Sequence, residues 1–215
     1  MPLATSVTVA IAVVLGGVLG WWPLAAWAER NMHDERMPRR TVRVVVALTT
    51  AVVWGLVVWR LGVVPVLPAV LAFTAAGSVL AVVDLAEKRL PNAVIAPTIG
   101  VVGVLLVVAT LFTGEWIALL WALLGGAAMF AVYLILALIS PSAMGMGDVK
   151  LAAPIGMLLA WFGLTAWLIG LLGAFVVGGV LAIVMLALRR VTLRGSLPFG
   201  PSMLAGAVVA VLLYG

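Results

Sequence analysis

Long apolar runs separated by short polar breaks follow one another along the whole chain. Eight of them read as helical spans, at roughly 6–28, 42–59, 66–83, 93–113, 116–139, 149–161, 166–188 and 199–214. A hydrocarbon core about 30 Å thick takes about 20 helical residues, so the sixth and eighth runs are short. These two are expected to tilt, to be partly re-entrant or to be shielded by neighbours. Fusing 149–188 into one span is rejected, because a helix of that length would measure roughly 60 Å. Trp161-Phe162-Gly163 offers a turn in its middle. The expected fold is all-α: a polytopic membrane helical bundle of about eight transmembrane helices, a single domain over 1–215 with a short basic loop at 29–43.

Composition removes the soluble alternative. Hydrophobic residues make up 66% of the chain and mean hydropathy is +1.35, more apolar surface than a soluble core of this size can hide. The first run, Ser6 to Ala28, follows no basic segment and is long enough to span, so it is expected to be a retained helix and not a cleaved signal. Cysteine is absent, which excludes disulfides, thiolate metal sites and cysteine catalysis.

The net charge of +5 matters less than where it falls. Loops 29–43, 84–92, 140–150 and 189–198 carry 11 of the 12 Lys and Arg. Only Arg60 falls on the other side, with Glu115 as the acid there. Positive-inside asymmetry then places those four loops in the cytoplasm and both termini outside. Trp59, Trp116, Trp161 and Trp167 mark one interface and Trp27 the other. Basic residues scattered through short loops form no polar face for nucleic acid, and no nucleic-acid partner is expected. Small residues at Gly16 and Gly20, and at Gly170, Ala174, Gly178 and Ala182, recur every four positions, the spacing at which membrane helices approach closely.

Only seven acids occur in the chain, and two of them close or open apolar spans: Asp84, in VVDLAEKRLPN, and Asp148, in MGMGDVKLAAP. An ionisable side chain at membrane depth is costly unless paired, hydrated or used. Singly, Asp148 also fits a helix N-cap, and Asp84 a solvated interfacial acid offset by Lys88 and Arg89. Together they bring two carboxylates to one membrane depth on different helices. Such a pair suits peptide hydrolysis without a metal: one member ionised to take a proton from water, the other protonated to polarise the carbonyl. Gly145 and Gly147 flank Met146 with a backbone able to approach a substrate strand or to take positive φ.

Three blocks resemble the type IV prepilin leader peptidases, polytopic aspartic proteases of the membrane. They are Asp84 with Lys88-Arg89-Leu90-Pro91-Asn92, then Gly145-Met146-Gly147-Asp148-Val149-Lys150-Leu151, then Leu197-Pro198-Phe199-Gly200-Pro201. The likeness extends over roughly 66–214. It implies an endopeptidase of the bacterial cytoplasmic membrane that removes the basic leader of prepilin or pseudopilin-like substrates at the cytoplasmic face. Those substrates present a glycine before the cut, often a Phe after it, and an apolar helix beyond. It also implies Asp84 and Asp148 as the catalytic pair and Gly145 and Gly147 as the loop shaping the site, with Pro198 and Gly200 in the third block. Lys88 and Lys150 either bias the pair toward a single negative charge or snorkel to lipid headgroups, the expected role. Pro91 and Asn92 are expected to start the fourth helix. Glu29, Asp34, Glu35 and Glu87 would attract a basic leader, largely offset by neighbouring arginines.

One departure from the family is clear. Many bacterial members also methylate the mature pilin, using a longer cysteine-containing loop after the first span. Here Glu29 to Arg43 is short and cysteine-free, so no methyl transfer is expected. His33 beside Asp34 and Glu35 has no second histidine to join it, and no metal or other cofactor is expected. Presenilin-like proteases place a Tyr before the first Asp, where this chain has Val83. A proton-coupled transporter would use Pro97 and Pro154 as span interruptions, but both acids gather at one face with no polar path onward.

Overall fold

The computed structural model describes residues 3–33, 37–140, 144–188 and 197–215, and every regular element formed there is helical. In chain order, α1 (Leu3–Leu19) runs through a π turn (Gly20–Leu24) into α2 (Ala25–Asn31), followed by α3 (Arg39–Leu61), α4 (Leu67–Glu87) and α5 (Asn92–Thr113). Then come α6 (Trp116–Ile139), α7 (Met146–Trp161), α8 (Leu164–Ala187) and α9 (Gly200–Tyr214). The π turn contains Pro23, whose ring would clash with the carbonyl four residues back in a regular helix; the wider turn makes room for it. Between α7 and α8 the chain reverses at Gly163, with φ of 106°, at the expected Trp-Phe-Gly turn.

Six rods among the described residues are long and apolar enough to cross a membrane: α1 through α2, α3, α4, α5, α6 and α8. The molecule is a polytopic helical membrane bundle. The two short runs are α7 and α9, of 16 and 15 residues, or about 22–24 Å. Both are shielded by neighbours. α7 lies in the middle, touching α5, α6, α8 and α9 and burying Val149, Leu151, Ala152, Ile155, Leu158 and Leu159. By contrast α8 rests chiefly on α9 and turns Leu172, Val176 and Ile183 outward, as a lipid-facing helix does.

Close backbone contact replaces large side chains at two seams. A Cβ at Gly16 would stand 3.0 Å from the Thr50 carbonyl oxygen, and one at Gly20 2.6 Å from Ala47 Cα, so α1 meets α3 backbone to backbone. At the second seam Gly206 of α9 meets the backbone of Gly170, Gly173 and Ala174, and Gly178 makes room for Phe199 and Ser202, while Ala182, expected to continue the stripe, is exposed. A Cβ at Gly179, the position after Gly178, would meet nothing within 4 Å among the described residues. Pro97 and Pro154, the interruptions a transporter would use, lie inside the continuous helices α5 and α7. Each removes one ladder donor, which surrounding helices tolerate. Buried hydroxyls are satisfied locally: Thr50, Thr74, Ser78, Thr98 and Thr110 donate to the carbonyl four residues back at 2.7–3.0 Å.

Polar contacts sort the bundle into two ends. At one, Glu87 accepts from the His33 backbone N–H and from Arg89 Nε, while Arg89 Nη2 donates to the Asn31 carbonyl at 2.6 Å. The first loop is thereby fastened to the turn between α4 and α5. Arg43 pairs with Glu29 at 3.3 Å beside it. At the other end Arg60 Nε and Nη2 donate to the carbonyls of Leu212 and Leu213 at 2.8 and 3.3 Å. Arg60 thus caps the C-terminus of α9, where the helix dipole favours a cation. Asp34, Glu35 and the three arginines of the 189–198 loop lie outside the described residues.

The α8–α9 seam supplies a test. A Cβ at Gly206 would fall 2.7 Å from Ala174 N, so Gly206→Val should cost about 1–3 kcal/mol of stability. Gly179 faces open space, and Gly179→Ala should leave the melting temperature in detergent unchanged.

Candidate active site

Asp84 lies one turn before the end of α4 and is only 3% exposed. The helix stops at Lys88, which takes the left-handed conformation (φ 54°, ψ 42°) and donates its N–H to the Asp84 carbonyl at 2.8 Å. Leu90 precedes a proline and is therefore biased away from helix. Pro91 is extended, with φ of −71° and ψ of 130°, and its carbonyl accepts the Val94 and Ile95 N–H groups of α5, which begins at Asn92 as expected.

Asp148 comes from the first turn of α7. The helix starts at Met146 with Gly145 as its N-cap, so Asp148 is the third helical residue and not the cap itself. Its Oδ2 accepts the Gly145 backbone N–H at 3.2 Å, the half of a capping box that a glycine cap permits. The positive φ considered for Gly145 and Gly147 is absent: Gly145 is extended, with φ of −79° and ψ of 150°, and Gly147 is helical. What Gly147 provides is proximity. A Cβ there would stand 2.8 Å from Leu90 Cβ, so the close neighbour is the protein's own α4–α5 turn.

The third sequence block completes the arrangement. Phe199 precedes α9, and the N–H of its first residue, Gly200, donates to Asp84 Oδ2 at 3.0 Å. An anion at a helix N-terminus is favoured both by the unpaired N–H groups and by the dipole. A Cβ on Gly200 would lie 2.8 Å from Asp84 Oδ2 and 3.2 and 3.3 Å from the two Leu90 methyls. The N-termini of α7 and α9 thus each hold one carboxylate, and Leu90 fills the space between them.

Asp84 and Asp148 are near enough to repel one another, across the contact between α4 and α7. Close carboxylates with little water between them favour a state in which one proton is shared by the pair. Tyr133 of α6, 1% exposed, lies within the electrostatic reach of Asp148. Its ring stacks on Phe175 of α8 with centroids 5.9 Å apart, and Phe199 closes the group at 6.4 and 5.4 Å from the two. An aromatic wall joining α6, α8 and the start of α9 therefore flanks the carboxylates.

Of the residues singled out from the sequence, Asp84, Asp148, Gly147 and Gly200 converge, and Gly145 orients Asp148. Lys150 Nζ donates to Asn92 Oδ1 at 3.0 Å and ties α7 to α5. Lys88 is exposed at the turn, Pro91 is buried beneath it, and Pro198 belongs to the irregular stretch leading into α9. His33 enters through its backbone alone, and its expected neighbours Asp34 and Glu35 lie outside the described residues. Among the described residues no three His, Asp or Glu side chains gather as a metal site. Sequence reasoning missed Tyr133 and the placement of Leu90. Tyr133 is one of two tyrosines and sits inside an apolar span, where a hydroxyl needs a partner. Leu90 is an apolar residue inside a polar turn.

The two carboxylates at one end of a helical membrane bundle agree with the comparison with known families. The type IV leader peptidase family model matches residues 71–183, which include both aspartates, and the chain belongs to that family. It is 30% identical over 168 residues to the prepilin leader peptidase/N-methyltransferase of Stutzerimonas stutzeri, covering 78% of this chain and 57% of that protein. The proteins of the same description from Pseudomonas aeruginosa and Pseudomonas putida are each 29% identical, over 78% and 73% of this chain and 57% and 53% of theirs. The chain spans a little over half the length of these curated relatives. No solved structure matches it.

The tight packing around Leu90 can be measured directly. Gly147→Ala and Gly200→Ala should each lower stability by about 1–3 kcal/mol, since the added methyl meets Leu90 in both and the Asp84 carboxylate in the second. Gly100→Ala, on an open face of α5, should not lower the melting temperature.

Proposed function

We propose that the chain is an aspartic endopeptidase of the bacterial cytoplasmic membrane that cleaves the basic leader of prepilin or pseudopilin-like proteins after a glycine. The observation that carries this reading is the pair Asp84 and Asp148, from different helices, each held through Oδ2 by the N–H of a helix N-terminus. Each carboxylate keeps its other oxygen for chemistry. One, ionised, takes a proton from water as the water oxygen adds to the scissile carbonyl. The other, protonated, donates to the carbonyl oxygen. Collapse of the tetrahedral intermediate breaks the C–N bond: the proton first taken from water passes to the leaving amine, and a hydroxyl proton of the intermediate returns to the second carboxylate.

Topology supports a cytoplasmic placement. The end of the bundle that holds the pair also holds Arg39, Arg43, Lys88, Arg89 and Lys150, and positive-inside asymmetry puts such an end in the cytoplasm, with both termini outside. At that depth water reaches the carboxylates while the apolar helix of a substrate stays in lipid and approaches laterally between spans. Glu29 supplies negative charge for a basic leader, partly offset by Arg43. The first loop is short and cysteine-free, which supports peptidase activity without methyl transfer.

Purified protein in lipid should cut a prepilin-like peptide after its glycine. Asp84→Asn and Asp148→Asn should each lower that rate by about 10²–10⁴-fold while the protein stays inserted and folded. Full activity in either variant would sink the aspartic mechanism. Mass spectrometry of the product should find a free, unmethylated N-terminus even with methyl donor present; an added methyl group would overturn the loop argument.

A further inference from the structure

We infer that Leu90 is the specificity-determining residue that restricts the position before the cut to glycine, an inference that rests on the peptidase reading above. Its side chain is wedged between the first turns of α7 and α9, the two elements whose N–H groups hold the carboxylates. At Gly147 the space a Cβ would take lies against Leu90 Cβ; at Gly200 the same space is bounded by Asp84 Oδ2 on one side and both Leu90 methyls on the other. The volume beside the Asp84 carboxylate is therefore already filled with branched hydrocarbon.

A scissile carbonyl that comes within reach of Asp84 brings its own Cα alongside. A Cα bearing only hydrogens fits next to the Leu90 methyls, whereas a methyl there meets them. The wedge is also poorly placed to yield. On one side Lys88 is locked in a left-handed turn by its N–H bond to Asp84, and Arg89 is tied to Glu87 and to the Asn31 carbonyl. On the other, Pro91 is extended and caps α5. Both flanks of Leu90 are fixed, so its Cβ, the atom that meets Gly147, moves only with the turn. This geometry explains why two glycines surround Leu90: the protein's own backbone obeys the limit that it sets for the substrate.

The test compares two peptides, identical except for Gly or Ala before the cut, on the full chain in lipid. Wild type should favour the Gly peptide in kcat/KM by about 10–200-fold, the range one methyl group commands. In Leu90→Ala that ratio should fall at least about tenfold, through faster cleavage of the Ala peptide, and Leu90→Val should fall between. A selectivity ratio that stays the same in both variants overturns the inference. Equal loss of both peptides in both variants, complete loss included, also overturns it and makes Leu90 a support for the carboxylates only. Wild type cutting both peptides equally removes the filter while leaving the peptidase reading intact. Wild type cutting neither removes the peptidase reading itself.

Discussion

Two carboxylates that repel one another have to be held side by side at the edge of an apolar bundle, and the arrangement of the inner helices follows from that constraint. Unaided, burial and mutual repulsion would drive the pair apart or protonate both. Here the partial positive charge of two helix N-termini offsets part of the cost. α7 presents Gly145 N–H to Asp148, and α9 presents Gly200 N–H to Asp84. Both helices begin at the level of the acids. α4 runs one turn beyond its acid before it stops. The bilayer is spanned by longer helices around them.

The same constraint explains where small residues and fixed turns occur. Helix N-termini can reach the carboxylates only if nothing bulky lies between, so the positions next to Leu90 are glycines and the turn that carries Leu90 is braced. Glu87 and Arg89 tie it to His33 and Asn31 of the first loop, and Lys150 with Asn92 joins α7 to the start of α5. The aromatic wall of Tyr133, Phe175 and Phe199 closes the side toward α6 and α8. Charge at the opposite end has a separate job: Arg60 caps α9.

Much of this was legible in the residues. Apolar runs placed the helices, including the break at Gly163, because a membrane demands about twenty apolar residues per crossing and leaves little else to read. The scarcity of acids singled out Asp84 and Asp148, and the structure brings them together. Other readings failed for local reasons. Gly147 is needed for contact with a side chain 57 positions earlier, not for an unusual φ, and no spacing rule reveals that. Nor does any spacing rule reveal that Lys150 finds an amide oxygen on α5.

What the sequence by itself determined is the class of chain: helical, membrane-spanning, charged on one side, with two acids at a common depth. Those properties arise from local hydrophobicity and from charge counted loop by loop. Tertiary structure alone decided which groups meet the acids, that Leu90 stands between the glycines, and that Tyr133 packs with Phe175 and Phe199. Such contacts join helices far apart in the chain, and their geometry depends on how closely backbones approach, which no single stretch of residues encodes.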